Sequence, residues 1–252
     1  VYYGEKTLEK TIKNVLNQKY DNLEYIIVYS PSKDKTFDII KKYKKKIHKL
    51  ILNLDIGIYQ SMNLGAYYAS GDYINYINSG DYFYDKYTIR DIFKKRINSD
   101  VIYGNCQAYY KNFKRNILSE KIKNLKDGMI FSHQSCFVKT KIQKKFLFEK
   151  KYYHSADYDF FAKLYKKKYK FLFINKNLSI CMSNGIVDRK RHITLYQNLL
   201  ISLKYFKNFN SLNQILVKMM MIGIQSLLVF IKLIVPRAII EYLLKKKYFI
   251  NH

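Results

Sequence analysis

Hydrophobic positions near the start of the chain follow two alternating periods, one typical of helices and one typical of buried strands. An apolar set with helix spacing comprises Leu8, Ile12, Val15 and Leu16. It begins directly after Thr7, a residue suited to an N-cap. The apolar run of residues 25–29 (YIIVY) has the length and composition of a buried strand. Because an α/β domain normally opens on a strand, we expect Val1 and Tyr2 to end a strand whose beginning precedes Val1.

The same alternation continues along the chain. Further helices are predicted over residues 36–43, 58–69, 85–96 and 156–166, and further strands over 48–54, 73–77, 101–103, 106–110, 136–139 and 171–174. Strands that alternate with helices favour a mostly parallel sheet with helices on both faces. Ligands of such folds bind beyond the carboxyl ends of the strands, so the turns that follow the strands are the first places to look for chemistry.

The composition changes near residue 210, so we predict an α/β domain over residues 1–190 and a helical tail over 191–252. Residues 215–235 are nearly all apolar, and their polar members Lys218, Gln225 and Lys232 lie seven residues apart on one narrow helix face. This pattern favours a helix lying in a membrane interface over one packed against protein or one spanning the bilayer. A basic cluster at 245–247 suits anionic lipid.

The chain of 252 residues carries 46 Lys and Arg against 19 Asp and Glu, a net charge of +27. Only six of the basic residues are arginine, although bidentate phosphate and base recognition favours arginine. Abundant Lys, Ile, Asn, Tyr and Phe suggest that A+T-rich codons are the main source of the charge. A membrane-surface role is the next explanation and nucleic-acid binding the last. Three cysteines are too few for a disulfide framework or a structural zinc site, which favours a reducing, cytoplasmic location.

Acidic residues stand in three turns where they could carry chemistry. Asp34 follows the strand at 25–29, Asp81 ends the turn Asn78-Ser79-Gly80-Asp81 after the strand at 73–77, and residues 156–160 (ADYDF) begin a helix. One carboxylate can hold a divalent cation against a diphosphate, and a second can act as general base on a hydroxyl. From the residues alone, solvated helix caps and a plain turn remain open for these positions.

The order of several short stretches resembles the family-two inverting glycosyltransferases of the GT-A fold, over about residues 1–190. The stretches are VYYGEKTLEKTIKNVLNQKY at 1–20, DIGIYQSMNLG at 55–65, GDYINYINSGDYF at 71–83, His133-Gln134 and ADYDF at 156–160. Each is a weak motif by itself, whereas all of them in this order are specific. The resemblance is greatest to the branch that builds bacterial surface polysaccharides.

The resemblance implies a role for individual residues. Asp157 matches the general base, and Asp81 the acid that contacts Mg²⁺ or Mn²⁺. The implied donor-binding residues are Tyr2, which would stack on the nucleotide base, with Glu5, Tyr29, Asp34, Asp55, Gly57, Asn63, Asn78 and Gly80. His133 and Gln134 would face the acceptor or the bound sugar, and Asp159 would follow the base as an acceptor-side, structural or helix-capping acid.

The resemblance also implies the partners. They are a nucleotide-sugar donor, a lipid-linked or oligosaccharide acceptor and the cytoplasmic face of the inner membrane, with no nucleic acid. Tyr29 stands where the family usually has an aspartate that contacts uracil or ribose, so the nucleotide is left open, a UDP-sugar being the commonest choice. Gly80 replaces one metal-motif carboxylate. An inactive glycosyltransferase-like scaffold and a basic nucleic-acid-binding protein are the alternatives to an active transferase.

Overall fold

A computed structural model describes residues 1–55, 57–110, 113–182, 190–206, 215–216 and 219–227. Its named helices are α1 (Leu8–Leu16), α2 (Thr36–Tyr43), α3 (Ile58–Tyr68), α4 (Thr88–Phe93), α5 (Thr140–Lys145), α6 (Ala156–Lys166) and α7 (Arg191–Tyr205). The strands are β1 (Ile26–Tyr29), β2 (Lys49–Leu52), β3 (Tyr73–Ile74), β4 (Tyr82–Phe83), β5 (Val101–Tyr109), β6 (Lys114–Ile117), β7 (Cys136–Lys139) and β8 (Phe171–Met182). The predicted alternation of strands and helices is confirmed, with shifts of a few residues at the ends.

The strands form a parallel pair, β1–β2, and a mixed six-stranded sheet with the order β3-β7-β5-β8-β4, in which β6 pairs with β5. Within the described residues, β5–β8 is also parallel, whereas β3–β7, β4–β8, β5–β6 and β5–β7 are antiparallel. The prediction of a mostly parallel sheet therefore holds for the first strands and is wrong for the second half. There the chain returns directly from β5 into β6 without a helical crossover, which permits only antiparallel pairing.

Val1 continues the parallel pattern on the free side of β1. Its backbone nitrogen donates to the Val28 carbonyl, and its carbonyl accepts from the Ser30 N–H at 2.9 Å. Val1 thus lies in parallel register opposite Tyr29.

Two strands are longer than the hydrophobic pattern predicts, and one of them reaches the candidate site. The runs at 101–103 and 106–110 form the single strand β5, with a register irregularity at Gly104 and Asn105. Strand β8 continues past Ile174 to Met182 because its polar residues pair with β5 and β4 at the backbone level. Because polar residues interrupt the apolar pattern of these strands, apolar periodicity does not predict their full length.

The apolar core packs α1 and α6 against the sheets and holds the amino-terminal end of each helix in place. Helix α1 buries Leu8 and Ile12 in a cluster with Ile27 of β1 and Ile40 of α2. Helix α6 is almost completely buried, and Tyr158, Phe160 and Leu164 belong to the largest apolar cluster. Burying side chains of this size contributes about 1.5–3 kcal/mol each, so both helix starts are fixed in position.

A disulfide joins Cys106 on β5 to Cys181 on β8. The sequence argument excluded a disulfide framework, and it did not predict this single bond, which leaves Cys136 as a buried free cysteine. The two residues are 75 positions apart in sequence and become neighbours because β5 and β8 pair in parallel.

The tail is described in part. Residues 219–227 form a helix whose apolar side chains are exposed, Met219, Met220, Met221, Ile224 and Leu227 among them. The predicted lysine stripe at Lys218 and Lys232 and the basic cluster at 245–247 lie outside the described residues. Among the residues that are described, none belongs to a helix with the length and hydropathy needed to cross a bilayer.

Candidate active site

Three loops converge on one end of the sheets and bring five predicted residues together. The turn after β3 supplies Asn78 and Asp81, the 3-10 turn before β7 supplies His133 and Gln134, and the start of α6 supplies Asp157. All five line a cavity of about 1770 Å³, together with Tyr2 and Gly57 from the donor-binding prediction. Asn78 and Asp157 are more than 70 positions apart in sequence, and the fold brings both to the same cavity.

Asp81 is held from two sides of the cavity. Its Oδ2 accepts from Gln134 Nε2 at 2.9 Å, and its Oδ1 accepts from the Met182 N–H at 3.1 Å. Burial raises the pKa of Asp81, and the hydrogen bonds from Gln134 and Met182 oppose that rise. The carboxylate is 6% exposed, so a cation in the cavity would strongly favour its ionised form.

The turn that carries Asp81 requires a glycine and is fastened to α1. Gly80 has a φ of +103°, a value that side chains with a Cβ rarely adopt. Its N–H donates to Thr11 Oγ1 at 2.9 Å, and Thr11 Oγ1 in turn donates to the Asp81 carbonyl at 3.2 Å. Thr7 Oγ1 lies 2.8 Å from Ser79 Oγ. The backbone of this turn therefore needs the conformational freedom of a glycine at position 80.

Asp157 lies in the first turn of α6 and is contacted by residues of two other elements. Its Oδ1 accepts from Tyr59 Oη at 3.2 Å and from the Tyr158 N–H at 2.8 Å, and its Oδ2 lies 3.4 Å from His133 Nδ1. Its side chain is 18% exposed. Asp157 therefore presents its carboxyl group at the cavity wall from the N-terminal end of a helix, where the backbone dipole favours negative charge.

His133 links the two acidic groups of the cavity. Its Nε2 lies 3.2 Å from Asn78 Nδ2, on the side of the Asp81 turn, and its Nδ1 faces Asp157. Asn75 also holds this loop in place, because its Nδ2 donates to the Gln134 and Cys136 carbonyls at 2.9 and 2.8 Å. The 133–135 loop is thus the structural connection between Asp81 and Asp157.

Glu5 and Asp34 do not line the cavity, and they hold the loops beside it. Asp34 accepts from the Glu5 N–H at 3.0 Å, from Ser32 Oγ at 2.7 Å and from the Thr36 N–H at 3.3 Å. Desolvation raises the pKa of Asp34, but hydrogen bonds from Thr36, Ser32 and Glu5 outweigh it and lower that pKa to about 2. Asp34 is therefore a permanent anion that closes the loop between β1 and α2.

Tyr29 is buried and stacks on Phe37, with ring centroids 5.2 Å apart, and its hydroxyl accepts from the Ser32 N–H at 3.3 Å. It also lies outside the cavity lining. Tyr2 is 44% exposed and does line the cavity, so it is the aromatic residue of the predicted donor loop that a planar ring could reach.

Three further predicted residues lie away from the cavity. Asp55 is exposed and pairs with Lys150 at 3.1 Å. Asn63 clamps the Phe148 backbone through both amide atoms at 3.0 Å. Asp159 is 1% exposed and pairs with Lys204 of α7 at 2.9 Å and with Lys163 at 3.7 Å. The structural part of the Asp159 prediction fits this burial, whereas an acceptor-side position does not.

Four residues at the site were not predicted. Tyr59 and Thr11 stand inside stretches that the sequence already singled out, and their polar atoms on otherwise apolar helix faces were the available signal. Met182 gave no signal, because it contributes through its backbone. His154 also lines the cavity, and burial, followed by the positive charges of Lys190 and His192, lowers its pKa.

The chain is similar in sequence to known glycosyltransferases. A model described as Glycosyl transferase family 2 matches residues 1–172. An uncharacterized glycosyltransferase of Methanocaldococcus jannaschii is 29% identical over 188 residues, which is 69% of this chain and 65% of that protein. The Escherichia coli protein WfaP, named UDP-Glc:alpha-D-GlcNAc-diphosphoundecaprenol beta-1,3-glucosyltransferase, is 35% identical over 82 residues, covering 32% of this chain and 33% of that protein.

Solved structures agree on the fold. Staphylococcus aureus TarS 1–349 in complex with UDP superposes with a TM-score of 0.63 at 17% identity, over 82% of this chain and 64% of that one. The mannosyltransferase PcManGT of Pyrobaculum calidifontis, in complex with GDP-Man and Mn²⁺, has a TM-score of 0.63 at 15% identity, over 81% and 62%. The fold is therefore of the GT-A type, as expected. The chain spans less than two thirds of the length of the M. jannaschii and TarS proteins.

Proposed function

The chain belongs to glycosyl transferase family 2, and we propose that it transfers a sugar from a nucleotide-sugar donor to a hydroxyl of a saccharide acceptor, with inversion at the anomeric carbon. The observation that carries the proposal is the convergence of Asp81 and Asp157 on one cavity, joined by Asn78 and His133. One acidic group at a diphosphate and one at an acceptor hydroxyl are what a single displacement needs.

Asp157 acts as the general base in this proposal. The proton of the acceptor hydroxyl passes to the Asp157 carboxylate while the hydroxyl oxygen forms its bond to the anomeric carbon. The bond from that carbon to the diphosphate oxygen breaks, and the electron pair leaves with the nucleoside diphosphate. A positioned base of this kind contributes about 10²–10⁴ in rate.

A divalent cation fits the donor side of the cavity. Asp81 is a buried carboxylate with one hydrogen bond to each oxygen, and a carboxylate has further lone pairs for a cation. The described residues contain no cluster of three or more protein ligands. Mg²⁺ commonly takes one or two carboxylates and completes its shell with water and substrate phosphates, so a single buried acid suits it or Mn²⁺. When bound, the ion would offset the charge on the departing diphosphate.

The donor and acceptor classes are supported by the relatives. TarS is described in complex with UDP and with UDP-GlcNAc, and PcManGT with GDP-Man and Mn²⁺. The name of WfaP gives UDP-Glc as donor and a diphosphoundecaprenol-linked GlcNAc as acceptor. We therefore propose a UDP-sugar as donor, a lipid-linked or oligosaccharide acceptor and a role in surface polysaccharide synthesis.

A location on the cytoplasmic face of the membrane is part of the same proposal. The exposed apolar helix at 219–227 and the net charge of +27 support contact with an anionic surface. A flotation assay with anionic and neutral vesicles at low salt tests it. Binding to anionic vesicles that salt reverses supports the location, and indifference to both vesicle types contradicts it.

A screen of nucleotide sugars with Mg²⁺ and Mn²⁺ tests the proposed activity. Thermal unfolding reports donor binding, and release of free nucleoside diphosphate in the presence of saccharide acceptors reports transfer. A metal-dependent rise in the melting temperature with one donor class is the expected result. If no donor binds and no nucleoside diphosphate is released, the proposal is contradicted and the protein is an inactive glycosyltransferase-like scaffold.

A further inference from the structure

The imidazole of His133 lies between an amide and a carboxylate, each within contact distance of a different ring nitrogen. Asn78 Nδ2 is 3.2 Å from Nε2, and Asp157 Oδ2 is 3.4 Å from Nδ1. The His133 side chain is 19% exposed, so solvent has limited access to the ring. A neutral imidazole carries one proton, and its two neighbours decide which nitrogen holds it.

The orientation of Asn78 settles where that proton lies. The atom of Asn78 that lies 3.2 Å from His133 Nε2 is the amide nitrogen, and an amide nitrogen donates and does not accept. Since that nitrogen donates to Nε2, Nε2 is the acceptor and the proton of His133 is on Nδ1, the ring nitrogen that lies 3.4 Å from Asp157 Oδ2.

The two oxygens of Asp157 are placed differently. Oδ1 accepts from Tyr59 Oη at 3.2 Å and from the Tyr158 N–H at 2.8 Å, whereas Oδ2 faces His133. Two donors occupy Oδ1, which leaves Oδ2 as the oxygen with lone pairs free for a further donor. The Nδ1–H of His133 would use one lone pair of Oδ2 and leave the other for the acceptor hydroxyl.

We propose that His133 is a positioning residue that orients the Asp157 carboxylate with Oδ2 toward the acceptor, in a tautomer that Asn78 selects. The catalytic part of this inference rests on the proposed function. The tautomer itself rests on the contacts of His133 with Asn78 and Asp157 alone. Because Asn78 belongs to the turn that carries Asp81, its contact with His133 ties the donor side of the cavity to the base.

Two amide variants of His133 separate its two contacts. In His133→Asn the short amide reaches the position of Nδ1 and can still donate to Asp157, whereas in His133→Gln the longer amide reaches the position of Nε2. We expect His133→Asn to keep kcat within about tenfold of the wild type and His133→Gln to lower it about 10²-fold, because misplacement of a reacting group by about 1 Å has that effect. The donor KM stays unchanged in both variants.

The opposite ranking, or wild-type kcat in both variants, would overturn the positioning role. A loss of donor affinity equal to the loss of kcat would also count against it, since His133 would then act in binding. Thermal unfolding of both variants shows that each chain is folded.

A second measurement needs no sugar and no turnover. Nitrogen-15 NMR of the full chain with labelled histidine distinguishes the two neutral tautomers, and the His133→Asn spectrum assigns the resonance. We expect the proton on Nδ1 in the wild type and a shift toward Nε2 in Asn78→Ala. A proton on Nε2 in the wild type overturns the inference. A wild-type chain that transfers no sugar overturns the proposed function instead, and the tautomer still reports whether Asn78 sets the ring.

Discussion

Gln134 Nε2 donates to Asp81 Oδ2 over 2.9 Å, joining two side chains that are 53 positions apart in sequence. This bond holds the 133–135 loop against the turn that carries Asp81, while His133 of the same loop reaches Asp157. A single loop therefore sets the distance between the acidic residue proposed for the metal and the one proposed for the proton. Substitution of Asp81 should therefore weaken donor binding, whereas substitution of Asp157 should slow the chemical step.

Replacing Asp81 with alanine should remove the stabilisation by UDP and Mn²⁺ together. The carboxylate is the proposed protein ligand of the ion, so its loss weakens donor binding, and we expect the rise in melting temperature to disappear. Asp55→Ala is the matched control, because Asp55 is an exposed acid outside the cavity lining and pairs with Lys150. A metal-dependent shift of wild-type size in Asp81→Ala would rule out Asp81 as the ligand.

Replacing Gly80 with alanine should destabilise the protein by about 1–2 kcal/mol, because φ at this residue is +103° and a Cβ is strained there. Equilibrium unfolding in urea measures the change in free energy. Gly71→Ala serves as the control, since an added Cβ at Gly71 would meet its nearest atom at 3.9 Å and no loss is expected. Equal stability of the two variants would show that the turn does not need a glycine.

Stability should depend on the ionisation of Glu24, which joins β2 to the turn before β3. Desolvation raises the pKa of Glu24, but hydrogen bonds from Lys49, Ser70 and Gly71 outweigh it and lower the pKa to about 2. A lowered pKa means that this contribution is full above the ordinary value of 4.5 and is lost as the pH falls toward about 2. Glu24→Gln should cost about 1.5–3 kcal/mol at neutral pH and flatten that acid limb of the stability curve.

Urea unfolding at a series of pH values measures this effect. Asp38→Asn is the control, because Asp38 forms an exposed pair with Lys41 at 3.8 Å, and such pairs contribute about 0–1 kcal/mol. An acid limb that persists unchanged in Glu24→Gln would assign the pH dependence to other carboxylates.

The packing of α7 on α6 should depend on the pair between Lys204 and buried Asp159. Lys204→Met leaves a carboxylate that is 1% exposed without its 2.9 Å partner, and we expect a loss of about 1–3 kcal/mol, since Lys204 itself is partly exposed. A double-mutant cycle with Asp159→Asn should give a coupling energy of about 1–2 kcal/mol by urea unfolding. Additive single-variant effects would mean that the pair does not hold the helix.

Periodicity predicted the helices well because their apolar faces are regular. α2 and α6 begin and end as expected, α1 spans its predicted apolar set, α3 ends one residue early, and α4 is shorter than predicted at both ends. The order of the second sheet could not be predicted in this way. Its pairing depends on contacts between distant segments, such as Val101 with both Val138 and Phe171, and local patterning carries no information about those partners.

The candidate site was predictable where its motifs form cavity-facing turns, as at Asn78, Asp81, His133 and Asp157. Glu5, Asp34 and Asn63 belong to the same motifs, yet the structure uses them to hold loops. Sequence position gave their neighbourhood and not the direction of their side chains. The contribution of Met182 passes through a backbone N–H, which no side-chain motif reveals.

The general base tests the account most directly. Asp157→Asn keeps the size of the side chain and its contacts near Tyr59 and His133 but lacks a carboxylate to take a proton. The measurement is the transfer rate of wild type and Asp157→Asn with the donor identified by the screen, alongside the donor affinity of each. We predict a loss of about 10²–10⁴ in kcat with donor affinity nearly unchanged. Wild-type turnover in Asp157→Asn would contradict the account.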